Sequence, residues 1–124
     1  MVSSEGYFFD SYAFIELMKK NRNYEAFNNV PFCTTQVNIF EVHYYLTKTI
    51  GDGPADFFAE TMRPSVAPID FETIKEASHF RFEHKKKKFS MVDCIGYMTA
   101  KRLGVKFLTG DREFEGMDNV EFVK

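Results

Sequence analysis

The sequence predicts an α/β domain of three layers, in which helices cover both faces of a mainly parallel sheet of roughly five strands. Two observations lead to this fold class. Short buried apolar runs alternate with longer amphipathic segments, which is the pattern of strand–helix–strand units. At 124 residues the chain is long enough for one sizeable core and too short for two, so residues 1–124 are expected to form a single domain.

Five short apolar runs between turn signals are predicted as strands. They are residues 7–9, 32–34, 66–69, 105–108 and 121–123. The run at 66–69 contains Pro68, which favours a sheet edge or the end of a strand because proline has no N–H to donate.

Segments with apolar residues at helical spacing are predicted as helices. They are residues 11–20, 24–27, 35–50, 54–62, 71–81 and 90–103, with a short helical piece around Phe114. The expected N-caps are Ser11, Thr34 or Thr35, Asp70 and Ser90. Gly104 is the expected C-terminal stop of the last long helix.

Composition excludes several classes of protein. A net charge of -2 excludes a uniformly basic nucleic-acid coat, and 44% hydrophobic residues exclude a disordered chain. No apolar run is long enough to cross a membrane. Ser3, Ser4 and Glu5 precede the first strand without a secretory signal, so a cytoplasmic location is expected. Cys33 and Cys94 lack CxxC spacing and are expected to be buried thiols.

Four acidic residues stand where apolar segments end or turn, and they are Asp10, Glu41, Asp93 and Asp111. Parallel strands end on one side of their sheet, so acids far apart in sequence become neighbours there. Two carboxylates about 4 Å apart repel by roughly 4 kcal/mol at an effective dielectric near 20. A cluster of four therefore calls for protons or for a hard cation such as Mg²⁺ or Mn²⁺.

Taken singly, each acid also has a structural explanation. Asp10 would cap a helix, and Asp111 would belong to an ordinary turn. The other two acids complete capping-box patterns, which are Asn38-x-x-Glu41 and Ser90-x-x-Asp93. Only the joint placement of all four at one predicted edge favours a metal site, because independent structural acids have no reason to gather there.

These residues resemble the PIN domain, a metal-dependent ribonuclease fold that includes the VapC-type toxins, over nearly the whole chain. The resemblance starts with an aromatic strand that ends in Asp10 followed by the hydroxyl residue Ser11, and it includes Glu41 in a helix after a strand and a threonine pair. Its most specific part is a helix opened by residues 90–93 and ended by residues 103–104, then a strand that leads to residues 109–111. Tyr12 departs from the small or polar residue usual at its position.

The resemblance implies roles for particular residues. Asp10, Glu41, Asp93 and Asp111 correspond to the acids that bind Mg²⁺ or Mn²⁺ and support catalysis in the family. The hydroxyl residues Ser11 and Thr109 correspond to groups that support those acids. The implied activity is endonucleolytic cleavage of single-stranded or looped RNA by a metal-activated water, with 5′-phosphate and 3′-hydroxyl products. Likeness to VapC toxins further implies a homodimer and a neutralising antitoxin protein.

A run of four lysines directly precedes the helix that carries Asp93. It consists of Lys85, Lys86, Lys87 and Lys88, and it is called the basic loop below. Such a run is often only a solvated surface loop, but its closeness in sequence to the predicted acidic site favours contact with RNA phosphates equally well.

Three other functions are compatible with parts of the pattern. One is a catalytically inactive PIN-like scaffold that binds RNA or protein, and another is an RNA-processing nuclease without an antitoxin. The third is a receiver-like phosphoacceptor domain, which also holds acids around Mg²⁺. That domain would need a second acid beside Asp10, where this chain has Ser11, and a lysine near the position of Asp111.

Overall fold

The computed structural model describes residues 6–124, and this part of the chain forms one four-stranded sheet. Its strands are β1 (Tyr7–Phe9), β2 (Phe32–Cys33), β3 (Lys106–Thr109) and β4 (Val120–Phe122). The order across the sheet is β2-β1-β3-β4, and every neighbouring pair is parallel. All four strands therefore end at the same edge, which is called the carboxyl edge below.

Five α-helices connect and cover the strands. They are α1 (Ser11–Met18), α2 (Gln36–Thr49), α3 (Asp52–Met62), α4 (Phe71–Glu83) and α5 (Met91–Leu103). Short 3₁₀ helices span Arg22–Phe27, Arg63–Ser65 and Arg112–Phe114. The predicted short helix at 24–27 and the helical piece around Phe114 are thus present as 3₁₀ turns.

Alternate side chains of the strands pack into two separate hydrophobic cores, one on each face of the sheet. Phe8 and Phe107 point to the face covered by α4 and α5, where their rings stack with centroids 5.6 Å apart. Phe9 and Leu108 point to the other face, among residues of α1, α2 and α3. This alternation is the period of an extended strand, and it confirms the predicted three-layer α/β/α class.

Gly96 allows α5 to approach the sheet closely. A Cβ atom at this position would lie 3.0 Å from the ring of Phe8 and 3.2 Å from the ring of Phe107. Any larger side chain would push the helix away from β1 and β3. Because α5 also carries Asp93 in its first turn, this contact helps to set how far Asp93 stands from the carboxyl edge.

The prediction of a fifth strand at 66–69 is wrong. Val66 forms only an isolated parallel bridge with Thr34. Two hydrogen bonds support the bridge: the N–H of Thr34 donates to the carbonyl of Ser65 over 3.0 Å, and the N–H of Ala67 donates to the carbonyl of Thr34 over 2.8 Å. Pro68 follows at once and has no N–H, so the ladder cannot continue.

Most of the predicted helix caps are confirmed. Thr35 accepts from the N–H of Asn38 at the start of α2, and Asp70 accepts from the N–H of Thr73 at 2.8 Å. Gly104 ends α5 in the left-handed conformation with φ of 71°. The capping box of Ser90 is also present and is described with the site below.

The predicted cap at Ser11 is wrong, because Ser11 is already the first residue of α1. Asp10 occupies the N-cap position, yet its side chain makes no capping hydrogen bond. The carboxylate is instead engaged by Thr109 of β3. Tertiary contact with the neighbouring strand therefore overrides the local capping preference at this helix start.

Cys33 and Cys94 are buried free thiols, as predicted. Within residues 6–124 no helix has both the length and the apolar character that crossing a membrane requires. The expectation that the chain starts without a secretory signal depends on Ser3, Ser4 and Glu5, which lie outside the described residues.

Candidate metal centre at the carboxyl edge

The four predicted acids lie at the carboxyl edge or on helices that begin there. Asp10 follows β1 directly, and Asp111 follows β3 after one glycine. Asp93 lies in the first turn of α5, and Glu41 lies in the second turn of α2. These segments come from both sides of the sheet, and the fold brings them together because parallel strands share one carboxyl edge.

Asp10 is the most deeply buried of these acids, with 3% of its surface exposed. Its Oδ2 accepts a hydrogen bond from the hydroxyl of Thr109 at 2.7 Å. Burial is the largest influence on its pKa, the charges of Asp93 and Glu41 act in the same direction, and together they raise the pKa to about 8. Hydrogen bonds from Thr109 and from the Ser11 main chain oppose this rise without cancelling it.

Thr109 links two of the acids through one hydroxyl group. Its Oγ1 donates to Asp10 and accepts from the main-chain N–H of Asp111 at 3.1 Å. The Oδ1 of Asp111 in turn accepts from the N–H of Glu113 at 3.0 Å, which starts the 3₁₀ helix after β3. The turn that carries Asp111 is thereby fixed relative to Asp10.

Asp93 combines a structural contact with a place in the acidic cluster. It completes a capping box in which its Oδ2 accepts from the N–H of Ser90 at 2.8 Å and its own N–H donates to the Ser90 hydroxyl at 3.0 Å. Burial, followed by the charges of Asp111 and Glu41, raises its pKa to about 6 despite these hydrogen bonds. Ser90 thus orients the carboxylate of Asp93 at the start of α5.

Glu41 reaches the cluster from α2, and its charge acts on both Asp10 and Asp93. Its side chain is half-buried, and its carboxylate forms no hydrogen bond or ion pair with the part of the chain that the structure describes. The alternative of an Asn38-x-x-Glu41 capping box is wrong, because the N-cap of α2 is Thr35. A half-buried carboxylate without a partner is costly unless a cation or water supplies the missing contact.

Asn38 is a site-supporting residue that the sequence analysis missed. It is fully buried, its Nδ2 donates to the Ser11 hydroxyl at 3.1 Å, and its Oδ1 accepts from the Thr35 hydroxyl at 2.6 Å. The contact joins the helix that follows Asp10 to the helix that carries Glu41. The only local signal is a polar residue on the apolar side of α2, one turn before Glu41, and that signal does not identify its partner.

The oxygen-rich donor set suits a hard divalent cation such as Mg²⁺ or Mn²⁺. Two acids with raised pKa values and one without a protein partner also indicate carboxylates whose charge is uncompensated. Among residues 6–124, however, no group of three or more His, Cys, Asp or Glu side chains has its ligand atoms close enough to hold one ion. The residue types therefore fit the metal, while their side chains are more widely spaced than a closed coordination shell requires.

The basic loop joins α4 to α5 and contacts the turn beyond Asp111. The Nζ of Lys87 donates to the main-chain carbonyl of Glu113 at 2.8 Å, and the N–H of Lys88 donates to the Glu113 carboxylate at 2.7 Å. All four lysine side chains of the loop are exposed. The loop is therefore held against the 3₁₀ turn that follows Asp111, on the α4 and α5 side of the sheet.

The sequence comparison gives the class of the protein. The family model described as the PIN domain matches residues 7–120, so the chain belongs to the PIN domain family. A comparison with curated protein sequences gave no significant match.

Three solved structures share the fold at low sequence identity. VapC20 from Mycobacterium tuberculosis, described as a toxin that cleaves the sarcin-ricin loop, has a TM-score of 0.79 at 17% identity and covers 96% of this chain and 100% of its own. A toxin-antitoxin complex from Klebsiella pneumoniae gives 0.75 at 18% identity, with 94% and 96% covered. DNA-bound VapBC from Salmonella typhimurium gives 0.71 at 16% identity, with 98% and 97% covered.

Proposed function

We propose that this protein is a Mg²⁺- or Mn²⁺-dependent endoribonuclease that cleaves single-stranded or looped RNA. The observation that carries the proposal is the acidic cluster itself: Asp10, Glu41, Asp93 and Asp111 converge on one edge, and two of them have raised pKa values. Structural carboxylates are normally placed where their charge is stabilised. Membership of the PIN domain family supports the same assignment.

The residues of this chain would prepare the site in three ways. The four acids would offer anionic oxygens to the cation, and the Thr109 hydroxyl would keep Asp10 oriented. Ser90 would orient the carboxylate of Asp93 through the hydrogen bond from its N–H to Oδ2. When bound, a divalent cation would activate a water molecule and stabilise the charge that develops on the phosphate, which gives 5′-phosphate and 3′-hydroxyl products.

RNA is the proposed substrate because the exposed lysines of the basic loop contact the turn that follows Asp111. The basic loop would bind phosphates on the α4 and α5 side, which offsets the repulsion between the backbone of a nucleic acid and the acidic cluster. Unpaired RNA fits better than a duplex because its phosphodiester can approach a shallow edge directly.

The proposed cellular role is that of a toxin in a toxin-antitoxin pair. It follows from the similarity in fold to VapC20, VapBC and the Klebsiella pneumoniae toxin-antitoxin complex. The proposal includes a homodimer, a neutralising antitoxin and a cytoplasmic location, with residues 1–124 acting as one domain. An RNA-processing nuclease without an antitoxin would have the same site and would differ only in its partner.

The test of catalysis is neutral substitution of the acids. Asp10→Asn, Asp93→Asn, Asp111→Asn and Glu41→Gln should each lower Mg²⁺-dependent cleavage of an unstructured RNA by about 10²-fold or more, because each removes charge at the reacting centre and keeps the shape of the side chain. Asp70→Asn is the matched control, since Asp70 is an exposed helix cap on α4. Cleavage near the parent rate by folded Asp93→Asn protein would refute the assignment.

The wide spacing of the acidic side chains is the one observation on residues 6–124 that favours an inactive PIN-like scaffold. Calorimetric titration of the parent protein with Mn²⁺ separates the two functions. A nuclease should bind Mn²⁺ with an affinity that Asp10→Asn and Asp93→Asn both weaken. A scaffold should show no Mn²⁺ binding that depends on these residues.

A further inference from the structure

A lysine side chain adjoins the acidic cluster from the strand next to β3. The N–H of Val123, just after β4, donates to the carbonyl of Thr109 at 2.9 Å. The next residue is Lys124, whose Nζ donates to the carbonyl of Gly110 at 3.1 Å. Gly110 lies between Thr109 and Asp111, so the ammonium group is held at the turn that carries one of the candidate metal ligands.

Packing around Gly110 fixes this arrangement. A Cβ atom at Gly110 would collide with the ring of Tyr12 and lie 2.5 Å from the carbonyl oxygen of Val123, so only glycine fits between them. The Nζ of Lys124 also stands over the face of the same Tyr12 ring, 5.0 Å from its centroid. The tyrosine that departs from the family pattern therefore forms part of the seat of this lysine.

The main chain of Lys124 is held separately from its side chain. Its carbonyl oxygen accepts from the amide groups of Asn21 and Asn23 at 3.3 Å and 3.2 Å. The preceding carbonyl of Val123 accepts from the hydroxyl of Tyr24 at 2.6 Å. These contacts anchor the segment at its main chain, and they leave the position of the ammonium group to its contacts with Gly110 and Tyr12.

The charge of Lys124 is not used by an ion pair within residues 6–124. The lysines of this region that pair with carboxylates are Lys19, Lys75 and Lys101. The Lys124 side chain is exposed, and its ammonium group gives one of three N–H donors to Gly110. The other donors and the full positive charge remain for an anion from solution.

Lys124 and the basic loop contact the segment after β3 from different faces of the sheet. Tyr12, which seats Lys124, belongs to the layer of α1, α2 and α3. The basic loop connects α4 to α5, which cover the other face of the sheet. A polyanion that crosses the carboxyl edge over the acids would therefore meet positive charge both before and after them.

We propose that Lys124, seated on Tyr12 and Gly110, is a second RNA-phosphate contact that binds the backbone on the far side of the acidic cluster from the basic loop. This inference rests on the proposed function. The acids repel every phosphate except the one neutralised by the cation, so a strand laid across them needs compensation on each side. With contacts at both sides, the phosphate between them is the one presented to the acids.

The experiment compares Lys124→Gln with Lys106→Gln and Lys124→Arg. Glutamine keeps a donor for the carbonyl of Gly110 but removes the charge, and arginine keeps the charge. Lys106 is an exposed lysine at the opposite end of β3, away from the carboxyl edge. Binding of a short unstructured RNA is measured against salt concentration in Mg²⁺ buffer, with each substitution placed in Asp93→Asn protein to suppress cleavage.

Lys124→Gln should reduce the slope of log affinity against log salt by about 0.7. This corresponds to about fivefold weaker RNA binding near 0.1 M salt and to no change in affinity near 1 M salt. Lys106→Gln and Lys124→Arg should keep the parent slope. In protein with intact Asp93, Lys124→Gln should raise KM for RNA and leave kcat unchanged, because the contact is made equally before and during the reaction.

Each other outcome overturns the inference in a distinguishable way. If the protein cleaves RNA and Lys124→Gln matches Lys106→Gln in salt slope and KM, Lys124 does not bind substrate while the nuclease function stands. A lowered melting temperature with an unchanged salt slope would assign Lys124 a purely structural role. If the parent neither binds nor cleaves RNA, the proposed function fails and this inference fails with it.

Discussion

The burial of Asp10 makes the stability of the metal-free protein depend on pH in an unusual direction. Its pKa is about 8 in the folded protein and about 3.9 in an unfolded chain. Between these values the folded state holds one more proton than the unfolded state, so the protein should become more stable as pH falls. The contribution is complete below the unfolded pKa and is lost as pH rises through the folded pKa.

The size of the effect follows from the same two values. The free energy of unfolding changes by up to about 1.4 kcal/mol per pH unit. Integration from pH 8 to pH 6 makes it about 2 kcal/mol higher at pH 6. For a chain of this length that corresponds to a rise in melting temperature of roughly 6 to 10 °C. Asp93, with a pKa of about 6, adds an effect of the same sign at lower pH.

The assay is thermal unfolding in EDTA at a series of pH values between 6 and 8. The chain has no Trp, so unfolding is followed by far-UV circular dichroism or calorimetry. Asp10→Asn should flatten the pH dependence, because asparagine still accepts the Thr109 hydrogen bond but does not titrate. Asp70→Asn is the control and should keep the slope, since the hydrogen bond from the Thr73 main chain lowers the pKa of Asp70.

Two results would refute this reasoning. Equal pH dependence in the parent and in Asp10→Asn would mean that Asp10 is solvated or ionised at little cost. Loss of stability in the parent as pH falls from 8 to 6 would mean that another group dominates. Added Mg²⁺ gives a second check, because it competes with protons for the acids and should stabilise the parent more at pH 8 than at pH 6.

Three further perturbations test other parts of the structure. Asp93→Asn should leave stability in EDTA unchanged or higher and should shrink the rise in melting temperature that millimolar Mg²⁺ gives, whereas equal rises in mutant and parent would make Asp93 a helix cap only. Replacement of all four lysines of the basic loop by serine should reduce the slope of log RNA affinity against log salt by about 0.7 per lost contact. An unaltered slope would mean that the loop is only a solvated surface loop. Gly96→Ala should destabilise the fold by about 1 to 3 kcal/mol in denaturant unfolding, because its Cβ meets the ring of Phe8 at 3.0 Å, and an unchanged midpoint would show that α5 can move outward at no cost.

The features predicted correctly from sequence are those that depend on neighbouring residues. Strand β1 and the caps at Asp70 and Ser90 agree with the predictions because apolar runs and capping patterns act over a few residues. The run at 66–69 has the composition of a strand, but pairing stops where Pro68 cannot donate. Composition reflects side-chain types, whereas a strand ladder also requires a main-chain N–H donor at each paired position.

The residues around the candidate site that escaped prediction make contacts with distant parts of the chain. Asn38 meets Ser11 across 27 positions in the chain, and Lys124 meets Gly110 across 14. Neither residue has a neighbour in sequence that would identify its partner. The placement of the acids at one edge could be predicted because parallel strands end on the same side of their sheet. The contacts of Asn38 and Lys124 depend instead on how the helices and the end of β4 pack, which the sequence pattern does not specify.

Asp10 and Asp70 show how a candidate metal ligand differs from a structural acid of the same residue type. Both occupy the N-cap position of a helix with extended backbone angles, so their local geometry is alike. Asp70 is exposed and accepts the Thr73 N–H, and its pKa is lowered, so its charge stabilises the folded state without help. Asp10 is buried near Asp93 and Glu41, and its pKa is raised, so its charge is a cost in the metal-free protein. A divalent cation would offset the cost of ionising Asp10, whereas the ionised carboxylate of Asp70 has no such cost. The acidic cluster, and not the N-cap position, therefore supports the metal assignment.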